Sequence, residues 1–485
     1  MKYSIEMKFC DLTENEEAAA IFDQYLPGIR SALKSNPKAL SLSIKNIVRY
    51  MNGKIPMSVM EPMEKALQAL NTPENHLSPK EAAMITQFQA LDAQDKAQAA
   101  LPEIHHQSEI MPGEVWYDTQ GKVIQAHGGA VFYEDGVYYW YGENKEHTDG
   151  VSPVWTWGIR MYSSEDLYNW KDLGLIIKPV LDDPESGLFP TKRVDRPHIL
   201  KSPATGKYVC WVKLSGTEAA FLVFEADALT GPYRLVHDNY KPQGLDVGDF
   251  DLICDETTGK GYLYYNAHSH PQAIVTMRLA DDFLTAREET ARQYEGLNPP
   301  FTREAPCLFE ADGRKYMFTS GMSGYIPNKS DLAVSDSWET PFVSIGNPHV
   351  DDASNASFNS QISKVFKVER RTADDSAAKG KEADLWIAMA DRWVTDYPID
   401  ARRADVFERT IASHYDPEHY QATPEEFREM EHAPSLETAN TDHARYVWLP
   451  VTFPEEGTPQ LIWRDRWKTE DFRFLIVPSK GVCGT

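Results

Sequence analysis

Several short apolar runs between residues 125 and 449 begin on an acidic, amide or imidazole side chain. The clearest starting residues are His127, Asp195, Asp249, Glu304 and Gln361. Hydrolysis of a glycosidic bond uses such groups: a protonated carboxylic acid near the leaving oxygen, and a base or nucleophile across the sugar. These residues are therefore the first candidates for chemistry in this chain.

Glu304 is the best candidate for the acid, because it opens an apolar run where its carboxyl group would be partly desolvated and near other acids. Both effects raise the pKa of a carboxyl group. Asp249 opens the preceding run, and a second carboxylate there would help to keep the acid protonated. The alternatives are a surface ion pair of Glu304 with Arg303, and a simple acidic loop of Asp249 with Asp246 and Asp251.

Asp195 and Glu143 are candidates for binding sugar hydroxyl groups. Asp195 precedes Arg196, and Glu143 ends the run Tyr138-Tyr-Trp-Tyr-Gly-Glu. A helix-capping or salt-bridge role is the alternative for each. His127 opens the first run, and a lone histidine is more often a hydrogen-bonded core residue.

The elements that must position these groups form a repeat. A short strand, a turn, a second strand, a polar loop and a third strand recur with a period of roughly 50 residues, which is typical of a β-propeller. Residues 131–141 illustrate the hairpin of one unit, with the turn at Asp135 and Gly136. We therefore predict an all-β five-bladed β-propeller, in which the starts of the inner strands share one pocket.

The rest of the chain divides around this repeat. Residues 1–108 show helical spacing of apolar residues and predict a helical accessory region, including a helix capped by Ser78 with a proline in its first turn. Residues 109–475 would form the propeller, with a partly helical insertion at about 401–441. Residues 368–382 read as a surface loop, and strand patterns at Arg445 and Gln460 would complete the last blade.

The composition and the first residues of the chain disfavour several classes of binding partner and site. The net charge of −24 disfavours nucleic acid and anionic membranes, which need a basic surface. The five cysteines show no metal-ligand or disulfide spacing. The first eight residues lack the apolar core of a signal peptide, so we expect a cytoplasmic protein.

Seven separated motifs, in order over about residues 112 to 470, carry a resemblance to a known family. They are Ile124-Gln-Ala-His-Gly-Gly-Ala, Tyr138-Tyr-Trp-Tyr-Gly-Glu-Asn-Lys, Val194-Asp-Arg-Pro, Arg303-Glu-Ala-Pro, Thr319-Ser-Gly-Met-Ser-Gly-Tyr-Ile-Pro-Asn, Asp391-Arg-Trp and Arg445-Tyr-Val-Trp-Leu-Pro. The chain resembles glycoside hydrolase family 43, and within it the branch that contains exo-β-1,3-galactanases. The resemblance implies a five-bladed propeller and hydrolysis with inversion at the anomeric carbon.

The resemblance also implies roles for single residues. Glu304 would be the general acid, and Asp249 would modulate its pKa. Six residues would bind substrate, with the first two holding the terminal sugar: Glu143, Asp195, His127, Tyr325, Asn328 and Asp391.

The position of the catalytic base departs from the family pattern. The family uses an aspartate in the first blade, whereas the matching stretch here is Gln125-Ala-His-Gly-Gly and has no carboxylate. The galactanase branch shares this departure, and there a glutamine matching Gln361 positions or activates the water. A neutral amide is a poor base, so either an unusual tautomer or another acid must take the proton. The reserve candidates are Glu143, Asp195 and Glu218.

The resemblance implies no required cofactor and allows a structural calcium ion on the propeller axis, near His127. The partner would be an oligosaccharide or polysaccharide, and the helical N-terminus offers a surface for homo-oligomer formation. The helical N-terminus and the 401–441 insertion depart from the branch and would wall in the pocket. Asp195 also stands where the branch more often has glutamate.

Four functions follow, and the first is the leading hypothesis. It is an exo-acting, inverting hydrolase that releases a terminal sugar, chiefly galactose, from β-1,3-linked galacto-oligosaccharides or galactan side chains. The second is the same enzyme class acting on α-L-arabinofuranose or β-xylose. The third is an inverting phosphorolytic enzyme, which would need a basic cluster for phosphate beside the pocket, whereas Arg160, Arg196 and Arg392 are scattered along the chain. The fourth is a non-catalytic sugar-binding propeller.

Overall fold

The computed structural model describes residues 3–34, 40, 42–50, 55–71, 77–98, 106–268, 271–368, 384–436, 439–454 and 458–472. The chain divides into two compact units. The helical unit comprises Met1–Ala99 with Val180–Phe189, and the propeller unit comprises Ala100–Pro179 with Pro190–Thr485.

Helices make up the helical unit. Their bounds are α1 Phe9–Thr13, α2 Glu16–Tyr25, α3 Ile29–Lys34, α4 Ile44–Tyr50, α5 Met60–Gln68 and α6 Pro79–Ala97. Ser78 caps α6 in a reciprocal pair with Glu81, which confirms the helix start predicted from Ser-Pro. Apolar faces meet in a core that includes Phe9, Phe22 and Leu67. None of the described helices is both long and apolar enough to cross a membrane.

The propeller unit contains five antiparallel sheets arranged as blades. From the inner strand outward, blade 1 is β1 His127–Glu134, β2 Val137–Glu143, β3 Ile159–Ser164 and β4 Lys171–Ile177. Blade 2 is β5 Val194–Lys201, β6 Tyr208–Leu214, β7 Ala220–Ala226 and β8 Arg234–Tyr240. Blade 3 is β9 Val247–Cys254, β10 Gly261–Ala267, β11 Ala273–Leu279 and β12 Ala286–Gln293. Blade 4 is β13 Arg303–Ala311, β14 Arg314–Gly321, β15 Ser330–Ser335 and β16 Val343–Gly346.

Blade 5 gathers strands from a longer stretch of chain. Its strands are β17 His349–Val350, β18 Gln361–Lys367, β19 Trp386–Arg392, β20 Arg445–Thr452 and β21 Gln460–Ile462, and β18 is innermost. The two strands predicted to complete the last blade are β20 and β21. The insertion between β19 and β20 forms helices α7 Ala401–Tyr415 and α8 Pro424–Glu431. Most of the surface loop predicted at 368–382 lies outside the described residues.

The inner strands close a ring, since β1 contacts β5, β5 contacts β9, β9 contacts β13, β13 contacts β18, and β18 contacts β1. Reciprocal backbone hydrogen bonds of 2.8 and 3.0 Å join Ile110 to Trp467 beside the last blade. Trp140 of blade 1 and Trp448 of blade 5 pack edge to face at 4.7 Å between ring centres. The prediction of a five-bladed β-propeller with N-terminal helices is confirmed.

Candidate active site

A β-bulge lies near the same end of every inner strand. On three strands the register shift spans His127 to Ala130, Asp195 to His198 and Glu304 to Cys307. The residue after each starting side chain has a left-handed backbone: φ is 61° at Gly128, 50° at Arg196 and 52° at Ala305. A bulge redirects side chains and interrupts pairing, which explains how the starting residues turn toward a common centre.

Glu304, the second residue of β13, has the environment of a general acid. Burial is the main cause that raises the pKa of its carboxyl group to about 8, and the negative charge of Asp249 adds to this. Gln361 Nε2 donates to Glu304 Oε1 at 3.4 Å. Arg303 donates to Thr319 Oγ1 at 3.0 Å, so the alternative of a surface pair with Glu304 is not the arrangement found. A carboxylic acid that keeps its proton at neutral pH can protonate a leaving oxygen.

Asp249 on β9 has the opposite environment. Arg196 Nε lies 3.0 Å from its Oδ2, and Lys213 Nζ donates to its Oδ1. Burial alone would raise the pKa of Asp249, but the two cations outweigh burial and lower the pKa to about 2. Asp249 therefore stays a carboxylate beside an acid that stays protonated.

Glu143 ends β2 and is buried. Its Oε1 accepts a hydrogen bond from the Arg196 backbone N–H at 2.9 Å, and Lys145 Nζ lies 2.8 Å from Oε2. Burial raises the pKa of Glu143 to about 7, with a further increase from Asp195, while Lys145 acts against both. Gly128 makes this position possible, because a Cβ atom there would collide with Glu143 Oε1.

Asp195 on β5 is held from both sides. Trp155 Nε1 donates to its Oδ1 at 2.6 Å, and Ser215 Oγ donates to its Oδ2 at 2.7 Å. Lys213 Nζ lies 3.5 Å from Oδ2. The bonded carboxylate is fixed in orientation, as a group that binds sugar hydroxyls must be.

The residues described so far form one cluster, which we call the carboxylate cluster: Glu143, Asp195, Asp249, Glu304 and Gln361. Arg196 lies at its centre. Its guanidinium pairs with Asp249 and donates to Gln361 Oε1, while its backbone N–H reaches Glu143. Gln361 Nε2 donates to Ser320 Oγ at 2.9 Å as well as to Glu304. The Gln361 amide therefore has its oxygen toward Arg196 and its nitrogen toward the proposed acid.

His127 lies beneath the pocket and is fully buried. Its Nδ1 is 2.9 Å from Asp391 Oδ1, its Nε2 is 3.2 Å from the Tyr446 hydroxyl, and its ring stacks on Tyr446 at 4.7 Å. Asp391 Oδ2 accepts from the Gly128 backbone N–H at 2.9 Å. In this arrangement His127 supports Asp391 and the first-blade bulge, whereas Asp391 itself borders the pocket.

An open pocket adjoins the cluster. Its lining includes Ser320, Tyr325, Asn328, Gln361, Asp391 and Trp393. Tyr325 stacks on Trp155 at 6.0 Å and contacts Trp393 at 5.3 Å, which makes an aromatic wall. Asn328 Oδ1 accepts from the Gly321 N–H at 2.6 Å, and Asn328 Nδ2 donates to the Gly321 carbonyl at 2.7 Å. The side chain thus stabilises the loop between β14 and β15.

The reserve candidates for the base differ in position. Glu143 and Asp195 belong to the cluster, whereas Glu218 lies in the loop between β6 and β7. Glu218 accepts from Lys192 at 2.7 Å, and this cation outweighs burial and lowers the pKa of Glu218. Gln125 is buried, and its Nε2 lies 3.4 Å from Asp442 Oδ1.

Sequence reasoning did not select Arg196, Lys213, Lys145 or Trp155 as site residues. Lys213 is a lysine in the otherwise apolar strand Tyr208–Leu214, and Lys145 closes a motif of the family resemblance, so both carried a usable signal. Arg196 alone of the three scattered arginines joins the cluster. Arg160 pairs with Glu146 at 3.2 Å, and Arg392 donates to the Phe358 carbonyl at 2.9 Å.

Among the residues that the structure describes, those near the centre of the ring do not fit a calcium ion. Both ring nitrogens of His127 are occupied, and calcium prefers oxygen ligands. Deeper in the ring, Lys364 Nζ lies 2.6 and 2.8 Å from the two oxygens of the buried Asp251. Because β9 and β18 are not neighbours in the ring, this ion pair crosses its centre and uses the carboxylate that a cation would need.

Comparison with known proteins gives a family match. The sequence model of glycosyl hydrolases family 43 matches residues 126–364. No curated protein matches the chain.

Solved structures share the fold. A family 43 β-1,3-galactosidase, BT0265, is 28% identical with a TM-score of 0.58, and the alignment covers 76% of this chain and 65% of that protein. A second family 43 β-1,3-galactosidase, BT3683, solved with galactodeoxynojirimycin, is 25% identical with a TM-score of 0.55. The alignment covers 74% of this chain and 100% of that protein. An exo-β-1,3-galactanase from Phanerochaete chrysosporium is 21% identical with a TM-score of 0.56 over 75% of this chain and 68% of its own, and shows the fold alone.

The chain thus spans 65% of the length of the first of these relatives. The motifs read from the sequence, the family match and the shared propeller agree. This chain is therefore similar to the glycosyl hydrolases of family 43, in sequence over residues 126–364 and in its propeller fold.

Proposed function

We propose that this protein is an exo-acting, inverting β-galactosidase that removes terminal galactose from β-1,3-linked galacto-oligosaccharides or galactan side chains. The observation that carries the proposal is the difference in pKa between two carboxyl groups on neighbouring inner strands. The pKa of Glu304 is raised to about 8, and the pKa of Asp249 is lowered to about 2. Two carboxyl groups whose environments separate their pKa values in this way are typical of an acid and its electrostatic partner.

In this proposal Glu304 donates its proton to the glycosidic oxygen as the bond to the anomeric carbon breaks. Asp249 keeps a negative charge nearby and so favours the protonated form of Glu304. Glu143 and Asp195 accept hydrogen bonds from hydroxyls of the terminal sugar. The aromatic wall of Trp155, Tyr325 and Trp393 offers an apolar face for the ring of a hexose.

Gln361 is the residue proposed to hold the attacking water. Its amide lies beside Glu304, and Arg196 fixes its orientation through the amide oxygen. The water must lose a proton as its oxygen bonds to the anomeric carbon. That proton goes to one of the cluster carboxylates, Glu143 or Asp195, because the Gln361 oxygen already accepts from Arg196 and its nitrogen is a donor.

The choice of sugar is supported by the relatives. Two family 43 structures that are 28% and 25% identical to this chain are named as β-1,3-galactosidases. Time-resolved proton NMR with β-1,3-galactotriose tests the proposal. We expect galactose as the first released sugar, initially as its α-anomer.

Aryl α-L-arabinofuranoside and aryl β-xyloside serve as competing substrates in the same assay. Faster release of either pentose would replace galactose as the substrate, and an initial β-galactose would contradict inversion. Binding of galactose without hydrolysis of any of these substrates would favour the sugar-binding alternative.

A further inference from the structure

Lys213 is a buried cation that none of the assigned roles uses. It lies on β6 within Tyr208–Leu214, where the neighbouring residues are apolar, and its side chain is 12% exposed. Taking a lysine out of water costs free energy unless the ammonium is paired. The position of its partners therefore explains why it is tolerated.

Those partners come from two blades. On blade 2, Lys213 is opposite Asp195 in the register between β5 and β6, and its Nζ lies 3.5 Å from Asp195 Oδ2. On blade 3, the same Nζ donates to Asp249 Oδ1. One ammonium thus joins a carboxylate proposed to hold the sugar to the carboxylate proposed to tune the acid.

The other charged and titratable groups facing Lys213 are Glu304, Arg196 and His268. Arg196 already neutralises the second oxygen of Asp249 through its Nε at 3.0 Å. Lys213 is thus a second cation on the same carboxylate. Its positive charge also acts on Glu304.

We propose that Lys213 is a positioning residue of this site: it fixes Asp195 and Asp249 relative to each other across two blades and places a positive charge among the carboxyl groups of the site. The inference rests on the proposed function. Asp249 and Lys213 act on Glu304 in opposite directions, since the carboxylate raises the pKa of Glu304 and the ammonium lowers it. A general acid must hold its proton at the working pH and still release it, so a balance of the two charges suits the reaction.

The test is the pH dependence of kcat and KM for β-1,3-galactobiose with Lys213→Met. Loss of the positive charge should move the alkaline limb of kcat upward by about one pH unit. KM should rise several-fold, because Asp195 loses a partner. Lys213→Arg should return the alkaline limb to the wild-type position, because it restores the charge.

The matched control is Lys201→Met. Lys201 lies at the far end of β5 and pairs with Glu134 at 2.7 Å, so this variant removes a charge from the same blade away from the site. Its alkaline limb and KM should equal those of the wild type. An unchanged alkaline limb in folded Lys213→Met, or an equal shift in Lys201→Met, would overturn the assignment.

Lys213→Gln keeps hydrogen-bond donors without a charge and covers the case in which Lys213→Met does not fold. A folded Lys213→Gln should show the same upward shift, and a wild-type limb would again overturn the assignment. Failure of the proposed function has a different signature: wild-type protein would then not hydrolyse the galactoside, or Glu304→Gln would hydrolyse it normally.

Discussion

Two carboxyl groups at equivalent places in the repeat have opposite acid strengths because their neighbours differ. Asp249 contacts two cations, Arg196 and Lys213. Glu304 has a neutral amide at 3.4 Å and a negative charge from Asp249. Equivalent backbone positions therefore give unequal chemistry, and the identity of the neighbours decides which carboxyl keeps its proton.

Replacing Asp249 by Asn should make Glu304 a stronger acid. The substitution removes the negative charge that raises the pKa of Glu304, and it leaves Arg196 and Lys213 less compensated. Since the raised pKa holds Glu304 protonated up to about pH 8, the alkaline limb of kcat should fall by about one to two pH units. The pH profile of hydrolysis measures this, and the direction is opposite to that expected for Lys213→Met.

Asp246→Asn is the control for this prediction. Asp246 precedes the same strand, is half exposed and pairs with Lys241 at 2.7 Å. Its profile should match the wild type. A profile of Asp249→Asn that keeps the wild-type alkaline limb would remove Asp249 from the role of modulator.

At the scale of elements, the bulges and the insertion shape the pocket. Ile326, on the loop that lines the pocket, is buried in a cluster with Ile399 and Phe407 of the insertion. Asn359, which lies two residues before Gln361, donates from its Nδ2 to the Ile399 carbonyl at 3.0 Å. The insertion thus supports the pocket wall from behind.

Phe407→Ala should loosen that wall. Truncation of a buried phenylalanine costs about 3–5 kcal/mol of stability, and here the lost contacts are those that hold Ile326. We expect KM for the terminal galactoside to rise several-fold with a smaller change in kcat, as measured by steady-state kinetics below the unfolding temperature.

Phe342→Ala is the matched comparison, because Phe342 is similarly buried in a cluster between blades 3 and 4. It should lose stability without a change in KM. An equal effect of both variants on KM would show that general destabilisation, and not the pocket wall, is responsible.

The sequence predicted the elements of this site only in part. The repeat predicted the inner strands, and their starts brought together Asp195, Asp249, Glu304 and Gln361. It could not supply Lys213, because a cation on a second strand reaches the site through strand register and bulges, which apolar periodicity does not encode. His127 begins its strand like the others, but Gly128 turns the chain so that the imidazole lies under the pocket.

At the scale of the molecule, ring closure brings the site together. The cluster draws on blades 1 to 5, since Glu143, Asp195, Asp249, Glu304 and Gln361 each come from a different one. Glu143 and Gln361 are more than 200 positions apart, and both contact Arg196, in a ring that closes where the fifth blade packs on the first. The motifs of the family resemblance lie on blades 1, 2, 4 and 5, and Asp249 of blade 3 lies outside them.

The central claim is that Glu304 supplies the proton to the leaving oxygen. The most direct measurement is kcat/KM of Glu304→Gln on two substrates, β-1,3-galactobiose and a dinitrophenyl β-galactoside, whose leaving group departs without a proton. We predict a loss of about 10²–10⁴-fold on the disaccharide and a far smaller loss on the aryl galactoside. Equal losses on both substrates, or full activity on the disaccharide, would contradict the claim.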